Sequence, residues 1–215
     1  MNKEFKVTNN AINFCNNDLD ENLFNFYKDS SQIAVDTEAM GLIHGRDRLC
    51  LIQICNESKI TTCIKISADN KESKNLKYLL EDDNIMKIFH YARFDFAALK
   101  CNLKIETKNI FCTKIASKLA RTYTNKHGLK DLIFELCGIE LDKRSQSSDW
   151  GSEEEFTNNQ ISYAANDVKY LIEANKKLSI ILKREGRYEL AKKCFEAIPI
   201  HSELDIQKFS NIFEH

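Results

Sequence analysis

A short apolar run that stops at two acids constrains this chain more than any other stretch. Residues 33–35 are apolar and typical of a buried strand, and Asp36, Thr37 and Glu38 follow directly. Because side chains alternate between the two faces of a strand, Asp36 and Glu38 point the same way at its end. Two carboxylates this close repel each other unless a proton or a cation lies between them. The alternative interpretation is a solvated strand end with two surface acids, and this stretch alone does not decide between the two.

The composition is that of an ordinary globular protein. The chain has 215 residues, of which 43% are hydrophobic and 29% are charged, and its formal net charge is −1. This balance excludes a general attraction to polyanions, so nucleic-acid binding would need a local basic patch or metal ions that cancel local acid. We expect a single domain over residues 1–215, with a core at about 20–184 and a C-terminal helix and tail at 185–215.

The cysteines and the hydropathy pattern predict a cellular location. The eight cysteines include no Cys-x-x-Cys pair, which gives no support for a structural zinc site. No segment is apolar enough for a signal peptide or for a membrane span. We therefore expect a reduced, cytoplasmic protein with no membrane partner.

The order of predicted elements indicates an α/β fold built on a mixed sheet. Three strands at 32–36, 49–55 and 60–66 have short polar connections, which favour an antiparallel meander. Further strands are expected at 86–89 and 109–111. Helices are expected at 23–27, 75–81, 93–101, 113–120, 129–137, 159–184 and 188–195. Helices thus flank three antiparallel strands and later parallel strands, an arrangement in which chemistry is expected at strand ends.

Two further acids lie in suitable places. Asp95 is one turn into a predicted helix that follows an apolar strand, although an acid there is also stabilised by the helix dipole alone. Tyr163 and Asp167 are four residues apart on a strongly helical stretch, so they share one face. The alternative for that pair is a surface Tyr–Asp contact. Neither segment predicts a functional site by itself, so the prediction depends on combining both with Asp36.

The combined acids predict a metal site. Four carboxylates in one pocket could not all stay ionised without cations, and Mg²⁺ or Mn²⁺ are the natural partners of oxygen ligands. Two such ions about 3.5–4 Å apart stabilise the attacking and the leaving oxygen in phosphodiester hydrolysis. We expect Asp36 to bridge two ions, Glu38 and Asp167 to complete the shell of one, and Asp95 to serve the other. The hydroxyl of Tyr163 would orient the attacking water.

Three short motifs carry these residues: Asp36-Thr37-Glu38, His90-x-x-x-x-Asp95 and Tyr163-x-x-x-Asp167. They resemble the three motifs of the DEDDy 3′–5′ exonuclease superfamily, in its ribonuclease D branch. The tyrosine subtype follows from Tyr163, because Ser162 stands where the histidine subtype has its histidine. The resemblance runs from about residue 32 to residue 171 and implies a ribonuclease H-like fold. The helical C-terminal modules of long ribonuclease D proteins are missing, which argues against processing of structured RNA.

A second resemblance covers most of the chain. It is carried by residues 45–50 (Gly-Arg-Asp-Arg-Leu-Cys), 111–119, 121–124, 127–130 and 146–150 (Gln-Ser-Ser-Asp-Trp). These stretches are similar to the nanoRNase C group, whose members degrade very short RNA, notably dinucleotides, and assemble as homo-octamers. Cys112 departs from general ribonuclease D, which often has Asp before the equivalent of Thr113, but it lies outside the metal set.

Several residues are candidates for substrate binding. Met40 and Leu42 follow the first motif and could pack against the last two bases; resemblance to oligoribonucleases favours Leu42, and ordinary loop packing is the alternative. His90 and Arg93 flank Asp95 and could reach a phosphate, or could be a solvated helix end.

The chain's best basic patch lies on one helical stripe. Lys114, Lys118 and Arg121 follow at spacings of four and three, with Tyr123, Lys126 and His127 close behind. A solvated face or a subunit contact is at least as good an interpretation as phosphate binding. Gln146, Ser147 and Trp150 lie upstream of the last motif, and the tryptophan either stacks on a base or caps the core.

The leading hypothesis is a 3′–5′ exoribonuclease that uses two divalent cations, Mg²⁺ or Mn²⁺, and releases nucleoside 5′-monophosphates from short RNA. A broader ribonuclease D-like RNA-processing enzyme or a DNA exonuclease is the alternative within enzymes. A catalytically silent nucleic-acid-binding protein is the alternative of another class, although none of the metal-binding acids is missing. Expected partners are short single-stranded RNA, or DNA, and further copies of the chain in a homo-oligomer, for which the resemblance suggests an octamer.

Overall fold

A mixed sheet lies at the centre of the computed structural model, which describes residues 5–7, 10–141, 148–152, 155–209 and 212–213. Its strands are β1 (Phe5–Val7), β2 (Asn10–Asn16), β3 (Gln32–Ala39), β4 (Leu49–Cys55), β5 (Thr61–Lys65), β6 (Met86–Phe89) and β7 (Ile110–Cys112). Across the sheet they follow the order β1-β2-β5-β4-β3-β6-β7. The mixed α/β sheet expected from the sequence is therefore confirmed.

The predicted meander forms the middle of the sheet. β3 pairs antiparallel with β4, and β4 pairs antiparallel with β5. In this register Asp36 lies opposite Gln53, and Gln53 lies opposite Cys63. β6 is parallel to β3, and β7 is parallel to β6. All seven residues of β4 are buried, as expected for a strand covered on both faces.

The helices flank this sheet. In chain order they are α1 (Glu21–Lys28), α2 (Lys74–Glu81), α3 (Ala92–Leu103), α4 (Thr113–Ala120), α5 (Leu129–Cys137), α6 (Asn158–Lys169), α7 (Leu171–Arg184), α8 (Tyr188–Glu196) and α9 (Ile198–Ile206). Helix α6 packs on β3, β4 and β5, and α3 packs on α9 as well as on the sheet. None of the helices in these ranges is both long enough and apolar enough to cross a bilayer.

Two sequence expectations about the helices were wrong. The single helix predicted at 159–184 is two helices that meet at Tyr170, where φ is −111° and ψ is −1° and the backbone N–H bonds to the carbonyl of Val168. No glycine or proline marks this break, so the local pattern does not reveal it. Helix α9 was not predicted; it begins with Pro199 in its first turn, a position that tolerates proline.

The first two strands were also missed. β2 pairs parallel with β5, and β1 pairs antiparallel with β2, so they extend the sheet beyond the meander. Three of the seven residues of β2 are asparagine, a residue depleted in strands. Its strand state therefore depends on pairing with a distant segment rather than on local preference.

Candidate active site

Three acids meet at the end of β3. Asp36 and Glu38 project from the face of β3 that α6 covers, and α6 supplies Asp167. One carboxylate oxygen from each of these residues lies within 4.8 Å of the others. Each side chain is half-buried, so the carboxylates retain access to solvent ions. The structure thus brings together three of the four acids expected to hold metal.

Asp95 joins this group from the other side of β3. It lies in the first turn of α3 and is buried, with 3% of its surface exposed. The side chain of Thr37 points away from Asp36 because neighbouring strand residues alternate. Its Oγ1 donates a hydrogen bond of 2.7 Å to Oδ1 of Asp95. Thr37 was not singled out from the sequence, although its place between two acids offered a signal.

Burial and mutual repulsion raise the pKa values of these acids. The pKa of Asp36 lies well above its ordinary value, first through burial and then through the nearby carboxylates of Asp95, Asp167 and Glu38. Burial, followed by the charges of Asp167 and Asp95, raises the pKa of Glu38 to about 8. Burial raises the pKa of Asp95 to about 7, against the hydrogen bond from Thr37.

A divalent cation fits this donor set. All the donors are carboxylate oxygens, which suit hard ions such as Mg²⁺ and Mn²⁺. A bound cation would also offset the repulsion that otherwise favours protonation of the acids. Asp36, Glu38 and Asp167 are the residues that would hold it.

Tyr163 stands beside Asp167, one turn earlier on α6. Its hydroxyl is hydrogen-bonded to the Asp167 carboxylate. Burial, and then the negative charge of Asp167, holds the pKa of Tyr163 far above its ordinary value. The phenol therefore stays protonated at neutral pH and can act as a hydrogen-bond donor next to the acids.

An apolar edge borders the acids on the loop after β3. Leu42 is 80% exposed and Met40 is also exposed. A cavity of about 360 Å³ lies beside Leu42 and is lined by Leu42, Ile43, His44, Tyr91, Phe94, Asp205 and Lys208. The exposed position of both residues agrees with a role in contacting substrate.

His90 and Arg93, the two residues expected to reach phosphate, both have protein partners. His90 Nδ1 lies 2.9 Å from Oγ1 of Thr113. Arg93 forms a two-point ion pair with Asp205 of α9, with distances of 2.5 and 2.6 Å. Arg93 lies in the first turn of α3 with its side chain 39% exposed, and its guanidinium joins α3 to α9.

The predicted basic stripe is corrected at Arg121. The Arg121 side chain is 1% exposed and forms an ion pair with Glu135. Its Nη1 also donates to Ser117 Oγ and to the carbonyl of Lys126. A guanidinium enclosed in this way is not available to substrate, so Arg121 is a structural residue.

The other members of the stripe differ in exposure. Lys118 is exposed, whereas Lys114 is half-buried and its Nζ lies 4.2 Å from the ring centre of Tyr91. His127 is half-buried, with Nδ1 2.9 Å from Ser117 Oγ. Lys118 and Lys114 remain candidates for phosphate contact, and His127 remains a candidate for substrate binding beside them.

The segment before the last motif is only partly described. Gln146 and Ser147 lie outside the described residues. Trp150 is buried and packs against Phe156 and Tyr163, with ring centres 5.6 and 6.3 Å apart. Of the two roles considered for Trp150, the structure supports capping of the core, because the ring is enclosed rather than open to a base.

The chain matches the 3′–5′ exonuclease family over residues 12–183. A solved structure of Brucella melitensis NrnC bound to pGG is 43% identical, has a TM-score of 0.89, and covers 95% of this chain and 98% of that one. The same protein with bound Mg²⁺ is 43% identical with a TM-score of 0.88 over the same shares. Together with the sheet order, these matches confirm the expected ribonuclease H-like exonuclease fold.

Ribonuclease D proteins are also similar to the chain. The ribonuclease D of Gluconacetobacter diazotrophicus is 29% identical over 157 residues, which make up 73% of this chain and 39% of that protein. The chain therefore spans about two fifths of the length of this relative.

Proposed function

Because the chain belongs to the 3′–5′ exonuclease family and is ribonuclease D-like, we propose that it is a cation-dependent 3′–5′ exoribonuclease. Its substrates are short RNA oligonucleotides down to dinucleotides, and its products are nucleoside 5′-monophosphates. The observation that carries this proposal is the convergence of Asp36, Glu38 and Asp167 within 4.8 Å. Asp95, held by Thr37, adds a fourth acid beside them.

The preference for short substrates is supported by likeness along nearly the whole chain. The structure bound to pGG covers 95% of this chain, and its own chain is covered to 98%. The similarity to this structure therefore covers nearly the whole fold and is not confined to the acidic residues of the site.

The proposed chemistry is hydrolysis at the 3′ end of the strand. Asp36, Glu38, Asp95 and Asp167 would hold the two divalent cations of this proposal. The cations, Mg²⁺ or Mn²⁺, would supply charge stabilisation for the attacking and leaving oxygens.

Tyr163 positions the attacking water in this proposal. Its hydroxyl donates a proton to the hydrogen bond with Asp167 and leaves its oxygen free to accept from water. The phenol is protonated at neutral pH, and its role in this proposal is to position the water.

Exposed groups around the acids hold the substrate. Leu42 and Met40 pack against the terminal bases, since apolar contact tolerates any base sequence. Lys114 and Lys118 attract the backbone phosphates from the neighbouring helix. His90, His127, Gln146 and Ser147 keep the substrate-binding role expected from the sequence as part of this proposal.

The decisive experiment is product analysis on 5′-labelled RNAs of two to 20 nucleotides, with Mn²⁺ and with a chelator. We expect stepwise loss of 3′ nucleotides, fastest on the dinucleotide, and none with chelator. Asp36→Ala should abolish turnover, whereas Asp83→Ala, which removes a surface acid paired with Lys108, should not. Full activity of Asp36→Ala would refute the proposal.

The same length series separates the alternatives. Faster cleavage of 20-mers or of duplex DNA would indicate the broader ribonuclease D-like or DNA exonuclease. Binding of RNA without cation-stimulated cleavage would indicate a silent binding protein.

We also propose that the chain acts as one domain and as a homo-oligomer, with an octamer as the expected state, in the cytoplasm. Exposed apolar side chains at the C-terminal end, namely Ile200, Phe209, Ile212 and Phe213, offer a surface for contacts between copies. Light scattering after size-exclusion chromatography measures the number of chains, and a monomer at micromolar concentration would refute assembly.

A further inference from the structure

One buried side chain next to the acids has unmet hydrogen-bonding groups. Gln53 lies in β4 with none of its surface exposed. Neither its Nε2 nor its Oε1 has a hydrogen-bond partner among the described residues. A buried amide without partners costs free energy, so native proteins rarely keep one without a reason.

The position of Gln53 indicates what this reason is. Gln53 lies directly opposite Asp36 in the antiparallel pair of β3 and β4. Directly opposite residues project from the same face, with Cβ atoms about 4.5–5.5 Å apart. The amide and the Asp36 carboxylate therefore share one face of the sheet, the face that α6 covers.

The other cross-strand neighbour of Gln53 offers little to an amide. On its other side lies Cys63, whose thiol is a weak hydrogen-bonding group. Cys63 packs in an apolar cluster with Ile161, Ala164 and Ala165 of α6. Among the side chains paired with Gln53 across the sheet, Asp36 is the strong hydrogen-bond acceptor.

We propose that Gln53 is a positioning residue for Asp36, and that its Nε2 donates a hydrogen bond to the Asp36 carboxylate when divalent cations occupy the site. Carboxylates that bind metal are commonly oriented by such neighbouring donors. The amide oxygen is then available to a water molecule, which hydrated cations bring with them. This inference rests on the cation site of the proposed function and extends it by one residue.

Gln53→Met tests the proposal, because methionine has a similar length and no hydrogen-bonding amide. We expect the melting temperature of the metal-free variant to equal or exceed that of the wild type, since an unmet polar group is gone. We expect its affinity for Mn²⁺, measured by isothermal titration calorimetry, to fall about 10–100-fold. For a dinucleotide, kcat should fall at saturating Mn²⁺ while KM stays unchanged.

Two further variants guard against a merely structural effect. Gln53→Leu removes both groups of the amide with a side chain of different shape, so it should also weaken Mn²⁺ binding. Ile54→Val is the matched control, because Ile54 lies next along β4 on the opposite face. It should lower the melting temperature slightly and leave Mn²⁺ affinity unchanged.

The outcomes separate this inference from the function on which it rests. If wild type binds Mn²⁺ and Gln53→Met binds it equally well, Gln53 does not position Asp36 and only this inference is overturned. The same holds if Gln53→Met is destabilised without metal and its affinity is unchanged. If wild type itself fails to bind Mn²⁺, both the inference and the proposed function are overturned.

Discussion

Thr37 and Asp95 are 58 residues apart in the chain, yet a hydrogen bond of 2.7 Å joins their side chains. Thr37 lies between the two acids of β3 and points to the opposite face from them. One tripeptide thus supplies two acids to the site directly and holds another in place through its middle residue. The buried Asp95 carboxylate accepts this hydrogen bond, which holds its Oδ1 in place beside β3.

Replacing Thr37 with valine should therefore reduce activity. Valine has the same shape but removes the hydroxyl that donates to Oδ1 of Asp95, and the loss of a buried hydrogen-bond donor costs about 1–3 kcal/mol. We expect kcat to fall by about 10–100-fold, as for other neighbours of metal ligands. Steady-state kinetics on a dinucleotide measure the change. Thr37→Ser keeps the hydroxyl and should retain most of the activity; equal loss in both variants would contradict the hydrogen-bonding role.

The acids should make the metal-free protein sensitive to pH. The folded-state pKa values of Glu38, about 8, and Asp95, about 7, lie above their ordinary values near 4. Between about pH 4 and pH 8 the folded state binds more protons than the unfolded state, so the free energy of unfolding decreases as pH rises. We expect the melting temperature with chelator to fall from about pH 5 to pH 8.

Added Mn²⁺ or Mg²⁺ should raise the melting temperature most at the upper end of this range, because the ions bind the folded, ionised acids. Differential scanning calorimetry at several pH values, with and without the ions, measures both effects. Asp83→Ala serves as a control and should respond as the wild type does, since Asp83 pairs with Lys108 at the surface. If the melting temperature of the metal-free protein rises over this pH range, the carboxylates of the site do not have raised pKa values in the folded state.

Leu42 should matter for substrate and not for stability. Its side chain is largely exposed, so Leu42→Ala removes little buried area and the melting temperature should change by less than a degree or so. If the leucine packs against a base, KM for a dinucleotide should rise about 5–30-fold, the range expected for loss of about 1–2 kcal/mol of contact. Leu190→Ala, at an exposed position on α8, is the matched control. Equal kinetics in the two variants would exclude a substrate contact by Leu42.

Arg121 and Lys118 should separate stability from substrate binding. Arg121→Met leaves Ser117, Glu135 and a backbone carbonyl without their buried partner, and we expect a loss of about 1–3 kcal/mol in the free energy of unfolding. Lys118→Ala should leave stability unchanged and weaken RNA binding in a salt-dependent way. Urea unfolding and binding titrations at two salt concentrations measure the two effects. A stable Arg121→Met protein with weakened RNA binding would restore the substrate role expected from the sequence.

Much of the site was predictable because it depends on local periodicity. The two-residue repeat of a strand places Asp36 and Glu38 on one face, and helical spacing does the same for Tyr163 and Asp167. Both relationships depend on local backbone geometry and not on contacts with distant parts of the chain. The meander followed in the same way, since apolar runs with short connections leave few other pairings.

The contacts that were not predictable join segments distant in the chain. The sequence predicted an exposed Arg121, because a helical stripe of cations is typical of a solvated face. In the structure the side chain is buried and pairs with Glu135 of α5. Arg93 looked available until α9 placed Asp205 beside it. The residue pattern around Arg121 does not predict the position of Glu135, and the pattern around Arg93 does not predict the position of Asp205.

The amino-acid order of this chain thus specifies the set of acids, their local directions and the family to which they belong, because each is a property of a few neighbouring residues. Folding decides which polar groups meet. It joins Thr37 to Asp95, buries Arg121 and, among the residues that the structure describes, leaves the Gln53 amide without a hydrogen-bond partner opposite Asp36. Those outcomes depend on strand register and helix packing, which arise from the sum of many long-range contacts.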